Sequence, residues 1–519
     1  MTELGHSRDN RNFFSLPPGG SKTTNSILLA SLVLVVIGAK LLLIKNYGSI
    51  VPFWDQWDAE ASRLYKPYLD SNLTLASLFS SHNEHRIFMT RILSLLLLEL
   101  DGGWSPFLQM IVNALLHALA IGILTALIFK ITDVRLRSLL IIFTALVFSA
   151  PVGFENSLSG FQSQFYFIQI FSFLAIAALV QARAFGLSWW VGVLCSILAY
   201  FSLASGALTV ASILLVTICQ LFLRLRQGIK EIAAAAALLA LAIIMIHFVP
   251  HIPGHDSFGA HSLRQFLGAL FRFLAYPFGN AGLIMALPMI LYGLHVLRSR
   301  PELNSAHWPI FGLILWLLTQ AASIAYGRAA ASTSSRYLDL AIIGLPLNFG
   351  VLLFALRTNF IARKSIFAVT ALWLTLTSAQ LMLKTFRVAL PDTSLRYEFS
   401  VKQELNVKNY LAGDQSALRE KPWLEIPYPD PSRLEMLLSD STIKLVLPEG
   451  FRTDGDRSEF DKRAVLAGYT REAAQYLVVS ILKYAYVFLS LGIGLVFLTM
   501  LLNYRKVNFL GTSTQNFES

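Results

Sequence analysis

One feature recurs along most of this chain: runs of about twenty apolar residues that carry almost no charge. A helix needs roughly 20 such residues to cross the hydrocarbon core of a bilayer. Runs of that kind stand near 26–44, 107–129, 137–154, 165–182, 187–204, 207–223, 232–250, 280–297, 308–325, 337–356, 365–384 and 480–503. The pair that meets at Ser205 and Gly206 reads either as two short helices or as one long kinked helix. The composition agrees with a membrane chain. Only 14% of residues are charged and the mean hydropathy is +0.58, whereas a soluble domain carries about a quarter charged residues. The expected fold is therefore an all-α polytopic membrane protein with about twelve transmembrane helices.

The net charge of +11 is a feature shared with nucleic-acid-binding proteins. Its distribution excludes that partner, because the basic residues sit in short clusters between apolar runs. This is how cytoplasmic loops are marked. The clusters are Arg8/Arg11/Lys22, Lys130/Arg135/Arg137, Arg183, Arg224/Arg226/Lys230, Arg298/Arg300, Arg357/Arg363/Lys364 and Arg505/Lys506. With twelve spans all of them fall on one side, so both termini are expected in the cytoplasm. The polar stretch before residue 26 is long for the head of a signal peptide, and the first run reads as a retained helix. Cys195 and Cys219 both lie inside apolar runs, which argues against a disulfide framework.

The expected organisation is a cytoplasmic tail over 1–25, a membrane core over 26–384, an outer polar segment over 385–479, a last span over 480–503 and a second cytoplasmic tail over 504–519. The outer face then carries loops 46–106, 155–164, 251–279, 326–336 and 385–479. Residues 58–70 and 73–81 of the first loop read as short amphipathic helices along the membrane surface. The late segment reads as mixed α/β, with helix-like pieces at 402–412 and 432–439 and a strand-like piece at 443–447. A proline-rich stretch over 421–431 joins them.

The outer loops hold the candidate chemistry. Residues 52–60 read Pro-Phe-Trp-Asp-Gln-Trp-Asp-Ala-Glu, placing Asp55, Asp58 and Glu60 beside Trp54 and Trp57. On an α-helix Asp55 and Asp58 share a face. A carboxylate can take the proton of a hydroxyl nucleophile, and an indole can stack on a sugar. The alternative is an interfacial tryptophan belt with solvated acids. Residues 82–86 read His-Asn-Glu-His-Arg. His82, Glu84, His85 and Arg86 suit either a phosphate-binding cluster or a site for a divalent metal such as Mg or Mn, with Asp55, Asp58, His82 and His85 as ligands. Residues 326–337 put Arg328, Arg336 and Tyr337 on the outer face. Arginine is disfavoured in short outer loops, and a phosphate-bearing lipid headgroup is a fitting partner. Glu155, Asn156 and Gln162, in the amide-rich 154–164, could hydrogen-bond hydroxyls or could serve only to cap two helix ends. The loop over 251–264 adds His251, His255, Asp256, His261 and Arg264.

These motifs together resemble the GT-C class of polytopic glycosyltransferases, which use polyprenyl-phosphate-linked sugars. Members of that class place an acidic motif early in a long first outer loop, surface helices after it, and a second polar motif before the next span. Asp55-Gln-Trp-Asp58 and His82-Asn-Glu-His-Arg86 stand at those places. The acidic motif here is Asp-x-x-Asp, whereas several branches carry Asp-Glu or Asp-x-Asp. The resemblance implies an inverting hexosyl or pentosyl transferase of cell-envelope polysaccharide biosynthesis in a bacterial inner membrane. Its donor would be a polyprenyl-phosphate sugar held by Arg328 and Arg336, with Arg86 assisting. Its acceptor would be a glycan or lipid, with Asp55 as base and Asp58 orienting the acceptor. Two other classes fit the same layout: a transporter or flippase of a lipid-linked glycan, and a non-catalytic assembly protein.

Overall fold

The computed structural model describes residues 22–279, 282–358 and 363–515, and among them every regular element is helical. The expected tail residues 1–21 and 516–519 lie outside the described residues. Among the described residues ten helices are long and apolar enough to cross a membrane, from Lys22–Tyr47 to Ala485–Leu502. Two further expected spans are shorter apolar helices, Leu187–Tyr200 and Leu283–Ser299. Residues 280 and 281, at the head of the latter, lie outside the described residues. At Ser205 and Gly206 the chain makes two helices, Leu187–Tyr200 and Ala207–Phe222, joined through a short 3₁₀ turn. Gly206 permits the join, since a Cβ there would collide with the backbone of Ala199.

The first and last spans pack closely because glycine removes side chains where they meet. A Cβ on Gly38 would strike the backbone of Leu489, and one on Gly492 would stand 2.8 Å from the Ser31 carbonyl oxygen.

Two expectations are corrected. Residues 443–447 do not form a strand; Ser441–Val446 is a helix. Asp440 caps it by accepting from the amides of Thr442 (2.9 Å) and Ile443 (3.1 Å). A short apolar run cannot distinguish strand from helix by periodicity alone, and here the cap decides. Nor does the helix of the expected 365–384 span end at 384. It begins at Arg363 and runs unbroken to Leu411 as one rod, through a π turn at Thr385–Ala389.

The late segment is not a free-standing unit. Its Val407, Leu418, Ile426, Leu434, Leu438 and Phe460 share one core with Trp57, Leu64, Tyr65, Leu98 and Trp104 of the first loop. Polar ties reinforce the joint. Lys66 pairs with Asp440 at 3.1 Å, Thr442 donates to Asp70 at 2.8 Å, and Glu99 accepts from the Leu466 amide at 2.7 Å. The first loop and the late segment thus form a second layer at one end of the helix bundle.

Candidate functional site

The acidic motif opens a helix. Trp54 takes φ +51 and donates its amide to Pro427 in the late segment (2.8 Å), and its ring stacks on Phe53 at 5.4 Å. From Trp57 to Tyr65 the helix is of π type, which holds more residues per turn than an α-helix. Asp55 and Asp58 therefore do not share a face. Asp58 accepts from Tyr428 (2.5 Å) and twice from Arg433 (3.2 and 2.8 Å), which ties the first loop to the late segment. Glu60 turns fully inward. Its carboxylate accepts from Ser94 (2.5 Å), Gln109 (2.7 Å), Gln56 (2.9 Å) and Trp104 (3.1 Å). Burial raises its pKa more than these four donors lower it. Trp57 is also buried, donating to the Pro52 carbonyl (2.8 Å) and packing edge-on against Trp104. Glu60 and Trp57 are thus corrected from ligand contacts to core residues.

Asp55 faces a narrow pocket. With it stand Phe53, Glu155, Gln162, Arg336 and Arg396, around a small cavity of about 30 Å³ that is partly open to solvent. Four of the residues singled out in the sequence meet there: Asp55, Glu155, Gln162 and Arg336. Glu155 accepts from the Arg336 amide (3.0 Å) and stands 3.8 Å from its Nε. Arg396 was not foreseen. It comes from the rod Arg363–Leu411, its guanidinium carbon lies 3.8 Å from the centre of the Phe53 ring, and its Nη1 is sealed from solvent with no hydrogen-bond acceptor among the described residues. A buried N–H without an acceptor is costly.

His82 Nε2 stands 3.8 Å from Asp55 Oδ1, long for a hydrogen bond. Burial pushes the Asp55 carboxyl up, but His82, Arg336 and His85 outweigh it and hold Asp55 below the usual carboxylate range. His82 and His85 close a tight hairpin through reciprocal backbone hydrogen bonds of 2.8 and 3.1 Å. Asn83 bends this turn with φ +50. Burial pushes the His85 imidazole down to about 4, so it is neutral near pH 7; its Nδ1 accepts from the Ala204 amide at 3.4 Å.

On the other side of the hairpin Glu84 binds Arg328 (2.7 Å) and His255 (2.5 Å). Burial raises the Glu84 carboxyl, yet these two partners outweigh it and bring it to about 2. The Arg328 guanidinium also lies over Phe258. Arg328 is therefore a clamp between three loops and does not line the Asp55 pocket. Arg86 likewise leaves the pocket, donating to the Phe79 carbonyl (3.0 Å). Tyr337 packs edge-on against Phe165.

Asp55, Asp58, His82 and His85 do not assemble into a metal-ligand set. Both Asp58 oxygens are engaged by Tyr428 and Arg433, and among the described residues no group of three or more His, Cys, Asp or Glu side chains is placed to hold an ion. A wider groove is lined by Ile218, Leu221, Phe222, Arg224 and Ile232. It contains no carboxylate.

No family model, no curated protein and no solved structure matches this chain.

Proposed function

We propose that this chain is a membrane glycosyltransferase that takes its sugar from a polyprenyl-phosphate donor and passes it to a hydroxyl of a glycan or lipid. The observation that carries this reading is the pocket itself. It sets an ionised carboxylate, Asp55, together with two guanidiniums, Arg336 and Arg396, one of which has an unmatched N–H. Guanidinium forks suit phosphate oxygens, and a carboxylate suits a hydroxyl proton.

The step balances with these groups alone. The acceptor oxygen bonds to the anomeric carbon and its proton passes to Asp55. The bond from that carbon to the phosphate oxygen breaks, and the phosphate leaves with the electron pair. Arg336 and Arg396 stabilise the charge that gathers on the leaving group. Attack from the face opposite the phosphate inverts the anomeric centre. The distribution of basic residues supports an orientation with both termini in the cytoplasm and the pocket outside; the proposal sets the chain in a bacterial inner membrane, with undecaprenyl phosphate as the carrier.

The test uses the purified chain in nanodiscs with an undecaprenyl-phosphate sugar and a hydroxyl acceptor. Release of undecaprenyl phosphate in step with acceptor glycosylation is the expected result. Movement of the lipid-linked sugar across a liposome bilayer with its bond intact would overturn the reading in favour of a flippase.

A further inference from the structure

We propose that Lys40 and Asp339, two ionisable side chains buried inside the helix bundle, position the pocket wall that carries Glu155 and Arg336. Ionisable residues within membrane-spanning helices are rare and costly, and those present usually pair with one another. Lys40, on the first helix, is 6% exposed, and Asp339, on Ser335–Ala341, is 2% exposed. Their hydrogen bonds lead toward the pocket. Lys40 donates to Ser157 Oγ (3.0 Å), and Asp339 accepts from Asn156 Nδ2 (3.0 Å) and Tyr166 (3.3 Å).

Asn156 is the junction. The same Nδ2 also donates to the Arg336 carbonyl oxygen (2.8 Å). Asn156 follows Glu155 in the chain, and Asp339 lies three residues beyond Arg336. The short helix Phe154–Ser157 is thereby fastened to the head of Ser335–Ala341 from below, while Glu155 fastens it from above through Ser335 (3.1 Å) and the Arg336 amide. Gly153 allows the approach, since a Cβ there would strike the Asp339 carboxylate. Tyr166 completes the cluster, with Lys40 Nζ 6.0 Å from its ring centre and the fully buried His117 stacked on it at 4.5 Å.

A pair that acted only as glue would stabilise the whole bundle. A positioning pair controls two segments, 153–162 and 328–338. Removing one charge would strand the other, so the informative variant replaces both with apolar groups, which is often tolerated energetically. Hydrogen exchange on the full chain in nanodiscs would compare wild type with Lys40→Met/Asp339→Leu. A second variant, Asn156→Leu, leaves the pair intact and cuts its link to Arg336. Both are expected to speed exchange in those two segments on the order of tenfold, with the other helices and the melting temperature unchanged. Wild-type exchange in the two segments, or a rise spread evenly over the bundle, would overturn the proposal. A second readout rests on the donor-site reading: both variants should raise the KM for the polyprenyl-phosphate sugar more than they lower kcat. The exchange measurement uses no ligand, so a chain that transfers no sugar would sink that reading and leave this one to be judged by exchange alone.

Discussion

Asp55 and Asp58 stand three positions apart, yet one faces a pocket with two guanidiniums and the other is locked by Tyr428 and Arg433. The account gives them different work. Asp55→Asn is expected to lower turnover by roughly 10²–10⁴-fold, the usual contribution of a general base, with little change in melting temperature. Asp58→Asn is expected to lower the melting temperature first, because it cuts the tie between the first loop and the late segment. Glu84 offers a pH test. Its carboxyl moves from an ordinary 4.5 down to about 2, so its stabilising effect is complete above about 4.5 and is lost as pH falls toward about 2. Wild type should therefore melt above Glu84→Gln at pH 7, with the gap shrinking as the pH is lowered below 4.5. At this scale the sequence showed which residue types mattered more clearly than where they pointed. The Asp55, Glu155, Gln162 and Arg336 set was legible from ionisable and amide residues in outer loops. Glu60 was not, because its four donors come from positions as distant as Gln109. Arg396 gave no signal, since it stands alone on a long helix and gains its meaning only from the Phe53 ring beneath it.

At the scale of elements, most spans were readable because apolar length is itself the physical requirement for crossing a bilayer. What composition does not carry is how a helix ends. The rod Arg363–Leu411 was divided at 384, where hydropathy falls, but hydrogen bonding continues through a π turn. The reverse error occurred at 443–447, where an apolar run hid a helix started by the Asp440 side chain. Close helix contacts are also element-scale facts. Gly38→Leu or Gly492→Leu would force apart the first and last helices at Leu489 and Ser31. Overpacking of this kind costs about 1–3 kcal/mol, which thermal melting of the purified chain would detect. Gly494 has open space around it, and Gly494→Leu serves as the control with little expected change.

On the scale of the whole molecule, the chain closes a loop on itself. Residues from the first long loop and from the segment before the last span build one core, and the pocket draws on both, with Phe53 and Asp55 from one and Arg396 from the rod that leads into the other. No local pattern encodes that meeting, because its partners lie hundreds of positions apart. It predicts coupling: Asp58→Ala and Arg433→Ala should each lower the melting temperature, and the double variant should lower it little further, since either change removes the same bond. Full additivity would show that the first loop and the late segment are not joined through this pair. The central claim is that the phosphate of a polyprenyl carrier and the base that serves the acceptor meet in one pocket. A structure of the chain bound to a polyprenyl-phosphate sugar tests it most directly. The account predicts the phosphate between Arg336 and Arg396, with the sugar's anomeric carbon turned toward Asp55; a phosphate seated on Arg328, or in the groove beside Arg224, would contradict it.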